Sequence, residues 1–290
     1  LRESAGLENS DDFFAFEHFE QTSAEAKYLA QRGEVMREGI RQIANQTLDN
    51  RSQVRAQLVA QSWDKEFPKS MDINLKMVPY VHTQWMLGQI TAKLNRIADT
   101  HDEVTGGERQ RPLSEEEKKW KAMANLCITM APDVGTSTNL NASMDGKIFA
   151  PEAQDFETEY GVKDPKLPDI TPTELESSRH LRFEIAEANA MTCLGSFGKM
   201  GELTGIPFLP IMTVYDFFIK RALDQLFYNC YWKSNFILVG TPSGVSLSPE
   251  GAQHGWKTDI QIANLITWEP AFAVEFDWVF TRIGATTFVG

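Results

Sequence analysis

The spacing of apolar residues changes character along the chain. Between Thr22 and Ile43, Tyr28, Val35, Met36, Ile40 and Ile43 recur at roughly helical spacing. The tetrapeptide TSAE, Thr22 to Glu25, has the spacing of a capping box, so a helical arm is predicted. A clearer helix follows in YVHTQWMLGQITAKLNRIADT, where Met86, Ile90, Leu94 and Ile97 form one stripe and Thr83 is the expected cap. The segment DEVTGGERQRPLSEEEKKWK breaks it with Gly106, Gly107 and Pro112 in a charged loop, ahead of a short helix predicted over 114–124.

From Leu126 onward, short apolar runs alternate with helical stretches. LCITMAP, LRFEIAE, IPFLPIMTVY, NFILVGT and ANLITW read as strands, with helices predicted over 188–203, 215–232 and 270–283, the last opening on Pro270. Such alternation implies an α/β fold, a doubly wound and mostly parallel sheet with right-handed crossovers and helices on both faces. The predicted organisation is a helical linker or arm over 1–78 and an α/β domain over 79–290.

Ligands of such sheets bind beyond the carboxyl ends of the strands. Four strand ends carry polar or aromatic groups that a core does not require. LCITMAP is followed by DVGTSTNL, with Asp133 and Ser137, and LRFEIAE runs into a helix opened by Glu187. After IPFLPIMT comes VYDFFIKRALDQ, with Tyr215, Phe218 and Arg221, and after NFILVGT comes PSGVSLSPEGAQHGW, with Glu250 and His254. Each group also has a packing reading. Asp133 and Ser137 suit turn hydrogen bonds, and Glu187 suits a helix N-terminus, an interaction of about 0.3–1 kcal/mol. Tyr215 and Phe218, three apart, suit a core face, and Arg221 with Asp224 suits a surface ion pair. His254 fits packing least, because loops rich in Gly, Ser and Pro make poor cores.

Composition narrows the partners. The chain has 290 residues, 42% of them hydrophobic, enough for a substantial core. With 40 acidic against 28 basic residues, a net charge of -12 and no Lys/Arg block, it lacks the electrostatic footprint for nucleic acid or an anionic membrane. There is no apolar run of about 18 residues to span a bilayer. Cys127, Cys193 and Cys230 are widely spaced, with no CxxC or HExxH, which fits reduced thiols in a cytoplasmic protein better than disulfides or a zinc site. The chain begins with Leu1 rather than Met, so excision from a longer polypeptide is expected.

Two motifs in order carry a family resemblance. EIAEANA, Glu184 to Ala190, resembles the segment of thiamine-diphosphate enzymes whose glutamate contacts the cofactor's aminopyrimidine. Tyr215, Phe218, Arg221, Ala222, Asp224 and Gln225 then form Y-x-x-F-x-x-R-A-x-D-Q, which resembles the aromatic-arginine helix of the same pyrimidine-binding domain, as in deoxyxylulose phosphate synthases. Within this transketolase-like superfamily the chain most resembles the homodimeric-type pyruvate dehydrogenase decarboxylating component. The matching segments are HTQ at His82 to Gln84, PDV at Pro132 to Val134, EGAQH at Glu250 to His254 and WEPAFAVE at Trp268 to Glu275. DVGTSTNL is closer to a transketolase turn.

The resemblance implies the pyrimidine-binding middle domain, thiamine diphosphate as cofactor, and decarboxylation of pyruvate with transfer of the acetyl unit to a lipoyl acceptor. It assigns a catalytic and cofactor-binding role to Glu187, stacking to Phe218 with Tyr215 beside it, and a cofactor-side place to Asp133. It makes His254 a proton donor near the substrate, and Glu250 and Arg221 substrate-side or structural. The GDG…N motif that holds diphosphate and magnesium is absent from these 290 residues. The Mg ligands are therefore expected outside this chain, in a diphosphate-binding domain or subunit. A second protomer and the lipoyl domain of an acyltransferase are the other implied partners. Two positions depart from the family pattern: Val134 stands where an acid is usual, and Glu184 where glycine is. Two other readings stay open, ketol transfer between sugar phosphates and a non-catalytic interaction module of the same fold.

Overall fold

Ser23 starts the first helix. Its Oγ accepts from the Ala26 amide at 3.1 Å, so the cap falls one residue later than Thr22, and α1 runs from Ala24 to Ala60. The computed structural model describes residues 22–61, 68, 70–77, 82–100, 111–132, 135, 138–144, 178–241 and 260–289. The chain divides into two compact units, Leu1–Asp49 and Asn50–Gly290. In the first, the apolar residues that predicted the arm, Tyr28, Val35, Met36, Ile40 and Ile43, form a stripe that stays exposed. In the second, the end of α1 contributes Val54 and Leu58 to the core.

The second unit is built on β1 (Cys127–Ala131), β2 (His180–Arg182), β3 (Leu209–Val214) and β4 (Ile237–Gly240), in the order β2-β1-β3-β4. All three pairings are parallel, with Thr129 opposite His180, Thr129 opposite Ile211 and Met212 opposite Leu238. Every residue of β3 is buried, as a central parallel strand with both faces covered requires. Pro210 is tolerated because it precedes the pairing with β4, which begins at Ile211.

Alternation along the strands separates two cores. Cys127, Ala131, Leu209 and Ile211 pack against α2 (Thr83–Asp99), α4 (Lys121–Leu126) and α8 (Ala273–Val289). Met130, Met212 and Val214 face α6 (Glu187–Thr204), a 3₁₀ helix over Asp216–Ala222 and α7 (Leu223–Tyr231). The doubly wound reading therefore holds, with helices on both faces of a parallel sheet. Two shorter helices, α3 (Glu115–Lys119) and α5 (Asn141–Met144), and a single 3₁₀ turn over Leu75–Met77 complete the described elements.

Several sequence expectations change in detail. His82, not Thr83, caps α2, its Nδ1 accepting from the Trp85 amide at 3.1 Å. The helix predicted over 114–124 is broken at Trp120 into α3 and α4, and Ser114 with Glu117 forms a complete capping box. The strand read in LRFEIAE stops at Arg182, because Glu184 takes a left-handed φ of 53° and its carbonyl accepts from the Ala186 amide at 2.8 Å. The helix predicted over 215–232 splits into the 3₁₀ segment and α7. ANLITW forms no strand: Asn264 has φ 67° and Ile266 is 93% exposed. Pro270 lies ahead of α8 rather than in its first turn.

Two positions on α6 show why its residues are small. Gly205 closes the helix at φ 79°, the left-handed C-terminal conformation that favours glycine. Gly195 lets α7 approach, since a Cβ there would lie 1.9 Å from the Asn229 Oδ1 atom, while the Asn229 amide donates to the Met191 carbonyl at 2.7 Å. Gly195→Ala therefore forces the two helices apart and loses that buried bond, and we expect a stability loss of about 1–3 kcal/mol, read as a lower Tm by calorimetry.

His180 is fully buried on β2, its Nδ1 2.9 Å from the Thr129 hydroxyl and its Nε2 without a hydrogen-bond partner among the described residues. Burial, reinforced by the Arg182 charge, pushes its pKa down to about 3. Between that value and the unfolded value of about 6.5, the unfolded chain binds the proton more tightly, so stability is lost as pH falls below about 6.5. At pH 5.5 this amounts to about 1 kcal/mol, and the drop in Tm between pH 7.5 and 5.5 should be smaller in His180→Gln than in the wild type.

Candidate functional site

A strand order of 2-1-3-4 places the switch point between β1 and β3, where successive connections leave in opposite directions, and ligands bind there beyond the carboxyl ends. The Thr138 hydroxyl, in the loop after β1, lies 2.7 Å from that of Thr213 near the end of β3 and ties these two ends together. At the end of β4 the Thr241 hydroxyl donates to the Gln84 side-chain oxygen at 2.8 Å, which draws the first turn of α2 to the same edge.

Glu187 and the aromatic-arginine motif meet at this end of the sheet. Glu187 is the first residue of α6 and is buried, and its Oε1 lies 2.7 Å from the Arg221 Nη1. The Arg221 guanidinium lies over the Phe218 ring, 4.1 Å from its centroid. Tyr215, buried at the end of β3, sets its ring 6.2 Å from that of Phe218, tilted by 39°. Glu187 is thus a satisfied buried carboxylate rather than a surface acid at a helix terminus.

The 3₁₀ segment explains the alignment. At three residues per turn, positions i, i+3 and i+6 eclipse on one face, and Tyr215, Phe218 and Arg221 have that spacing. The Phe218 amide donates to the Tyr215 carbonyl at 2.8 Å, an i+3 bond. In an α-helix the same three residues would fan out by about 60° per step. Seven residues is long for a 3₁₀ helix; Ile219 and Ala222, buried against α6, hold it in place.

The remaining sequence candidates divide. Asp133, Glu250 and His254 lie outside the described residues, as do Val134 and Ser137. Arg221 pairs with Glu187 instead of sitting in a surface pair with Asp224, which is exposed. Asp216, unremarked in the sequence, is buried at the start of the 3₁₀ segment. Its neighbour Tyr215 was the only signal for it. Glu184, which stands where the family pattern has glycine, has a side chain that is 53% exposed and pairs with Arg182 at 2.8 Å. Its left-handed backbone is one that glycine adopts without strain.

Among the described residues no group of three His, Cys, Asp or Glu side chains can hold a metal ion, and no helix is long and apolar enough to cross a membrane. The arrangement at this end of the sheet is a buried carboxylate and an aromatic ring that share one planar cation.

No protein-family model matches the chain. Over 136 residues it is 25% identical to a 1-deoxy-D-xylulose-5-phosphate synthase of Xanthomonas campestris pv. campestris, covering 42% of this chain and 20% of that protein. Over 148 residues it is 23% identical to the enzyme of the same name from Francisella tularensis subsp. tularensis, covering 47% and 23%. The chain spans about a fifth of the length of these curated relatives. Among solved structures, a variant transketolase of Pichia stipitis in complex with fructose 6-phosphate superposes with a TM-score of 0.51 at 14% identity, covering 91% of this chain and 33% of that one. A sedoheptulose 7-phosphate complex of the Pichia stipitis transketolase gives the same TM-score. The fold is that of the transketolase-like α/β domains.

The backbone at Glu184 generates a prediction. A left-handed conformation costs a non-glycine residue about 1 kcal/mol and a β-branched one more. Glu184→Gly should leave stability unchanged or slightly raised despite loss of the Arg182 pair, whereas Glu184→Val should lower it by about 1–2 kcal/mol. Chemical denaturation midpoints of the two variants test this.

Proposed function

We propose that this chain forms the pyrimidine-side half of a thiamine-diphosphate-dependent active site. The observation that carries the reading is the convergence of Glu187 and Phe218 on one flat cation, the Arg221 guanidinium, with the Tyr215 ring beside that of Phe218. A buried carboxylate beside an aromatic face suits the aminopyrimidine of thiamine, which offers ring nitrogens along its edge and a π-face to stack. The likeness to 1-deoxy-D-xylulose-5-phosphate synthases and the transketolase fold support the same reading.

Thiamine diphosphate, when bound, supplies the nucleophilic carbon and electron sink needed to break a carbon–carbon bond beside a carbonyl. The protein's part is orientation and proton control. Glu187 holds the hydrogen bond to a ring nitrogen, with its burial keeping competing water away. Phe218 supplies the stacking face, and Tyr215 packs beside it, fixed by its place at the end of β3. To residues outside the described ones the family resemblance assigns the remaining roles: proton donor for His254, a cofactor-side group for Asp133, and a substrate-side or structural group for Glu250. Diphosphate and Mg are held by a diphosphate-binding domain or subunit, with a second protomer completing the site.

Two finer readings follow from different observations. HTQ, EGAQH and WEPAFAVE favour decarboxylation of pyruvate as a dehydrogenase component that passes the acetyl unit to the lipoyl domain of an acyltransferase. The named relatives favour the second, carbon-unit transfer of the synthase or transketolase kind.

The test reconstitutes the chain with the diphosphate-binding domain or subunit, thiamine diphosphate and Mg. Carbon dioxide release from pyruvate with a lipoyl-domain acceptor is compared with ketol transfer from fructose 6-phosphate. Release coupled to lipoyl acetylation, without ketol transfer, selects the dehydrogenase reading, and ketol transfer selects the other. In either assay Glu187→Ala should lower turnover by about 10²–10⁴-fold, while the Tm changes little. Turnover equal to the wild type would remove Glu187 from the chemistry and with it this proposal.

A further inference from the structure

We infer that Arg221 is an internal occupant of the pyrimidine subsite, which a thiamine-type ring must displace in order to bind. This rests on the functional reading above and concerns what holds the site before the ligand arrives. A guanidinium is a planar, delocalised cation with N–H donors along its edge. In this chain it makes the two contacts that the reading assigns to the aminopyrimidine: an N–H to the Glu187 carboxylate, N to O 2.7 Å, and a place over the Phe218 ring, its central carbon 4.1 Å from the centroid. A 4-aminopyrimidine presents the same pattern, an amidine edge on a flat ring. One carboxylate oxygen and one ring face recognise both groups through the same chemistry.

The two ends of the pair are held very differently. The Glu187 side chain is 6% exposed and is fixed by the start of α6, whereas the Arg221 side chain is 49% exposed. Arg221 can therefore leave toward solvent by rotating its own side chain, without disturbing the helix that carries Glu187. While the site is free of ligand, Arg221 neutralises a carboxylate that would otherwise be buried without a partner, which is costly. When a ring takes over both contacts, that function passes to the ligand. A site whose competent form is only fractionally populated binds with an affinity reduced by that fraction. An exposed-side ion pair plus one cation–π contact corresponds to a reduction of about tenfold.

The experiment measures binding of thiamine, and separately of 4-amino-2-methylpyrimidine, to the full chain by ligand-observed NMR. Wild type, Arg221→Met, Arg221→Ala, Glu187→Gln and the double variant Glu187→Gln/Arg221→Met are compared. Met keeps an apolar stem over Phe218, so Arg221→Met covers the case in which Arg221→Ala fails to fold. The expected result is about tenfold tighter binding in the Arg221 variants, reversed by millimolar methylguanidinium in Arg221→Ala and absent from the double variant. Equal or weaker binding in both Arg221 variants, with wild-type binding lost in Glu187→Gln, overturns the inference and leaves the thiamine reading standing, with Arg221 a ligand contact. A gain that methylguanidinium does not reverse also overturns it, because the gain then arises elsewhere. Absence of binding in every protein overturns the inference, because relieving the site of Arg221 then admits no ring, while the thiamine reading keeps its own test in the reconstituted enzyme.

Discussion

A parallel sheet returns every strand to the same edge, and the described site depends on that constraint. Because β1, β2, β3 and β4 all run in one direction, the residues that follow them collect at one end. The order β2-β1-β3-β4 sends the connection after β1 one way and that after β3 the other, opening a crevice between them. Glu187 enters this end from the turn after β2, and Tyr215, Phe218 and Arg221 enter it from the segment after β3. Neither group would reach the other in a sheet of different order. Close packing of α6 on α7, made possible by Gly195 against Asn229, fixes the distance between them.

Within that frame the Glu187–Arg221 pair is asymmetric. One member is buried and fixed by a helix start, and the other is half-exposed at the end of a 3₁₀ segment. Such a pair adds little to stability, since its Coulomb attraction is offset by desolvation of the carboxylate and by ordering of a long side chain. Its interest is chemical. Nothing in the core requires a carboxylate at position 187, and the adjacent positions of α6 are supplied with small and apolar residues such as Ala190, Met191 and Leu194. A buried acid joined to a planar cation over an aromatic ring is the arrangement on which the proposed recognition of a flat, nitrogen-bearing ring rests.

The amino-acid sequence by itself determined the local features. Alternating apolar runs and helical stretches after Leu126 were sufficient for an α/β sheet covered on both faces, because strand and helix periodicities are properties of a few consecutive residues. It also determined which residues stand at the strand ends, and Glu187, Tyr215, Phe218 and Arg221 were legible there by position. Features that depend on a single backbone angle were not legible: LRFEIAE looked like one strand until Glu184 turned left-handed, and ANLITW looked like a strand until Asn264 did the same. Only the tertiary structure decided the partnership of Arg221. Three residues away in sequence, Asp224 was the natural local partner, whereas the observed partner, Glu187, lies 34 residues away. That choice follows from the crossover that brings α6 beside the 3₁₀ segment, and from the three-residue turn that aims Arg221 along the same face as Phe218, two facts of chain path that no short-range pattern contains.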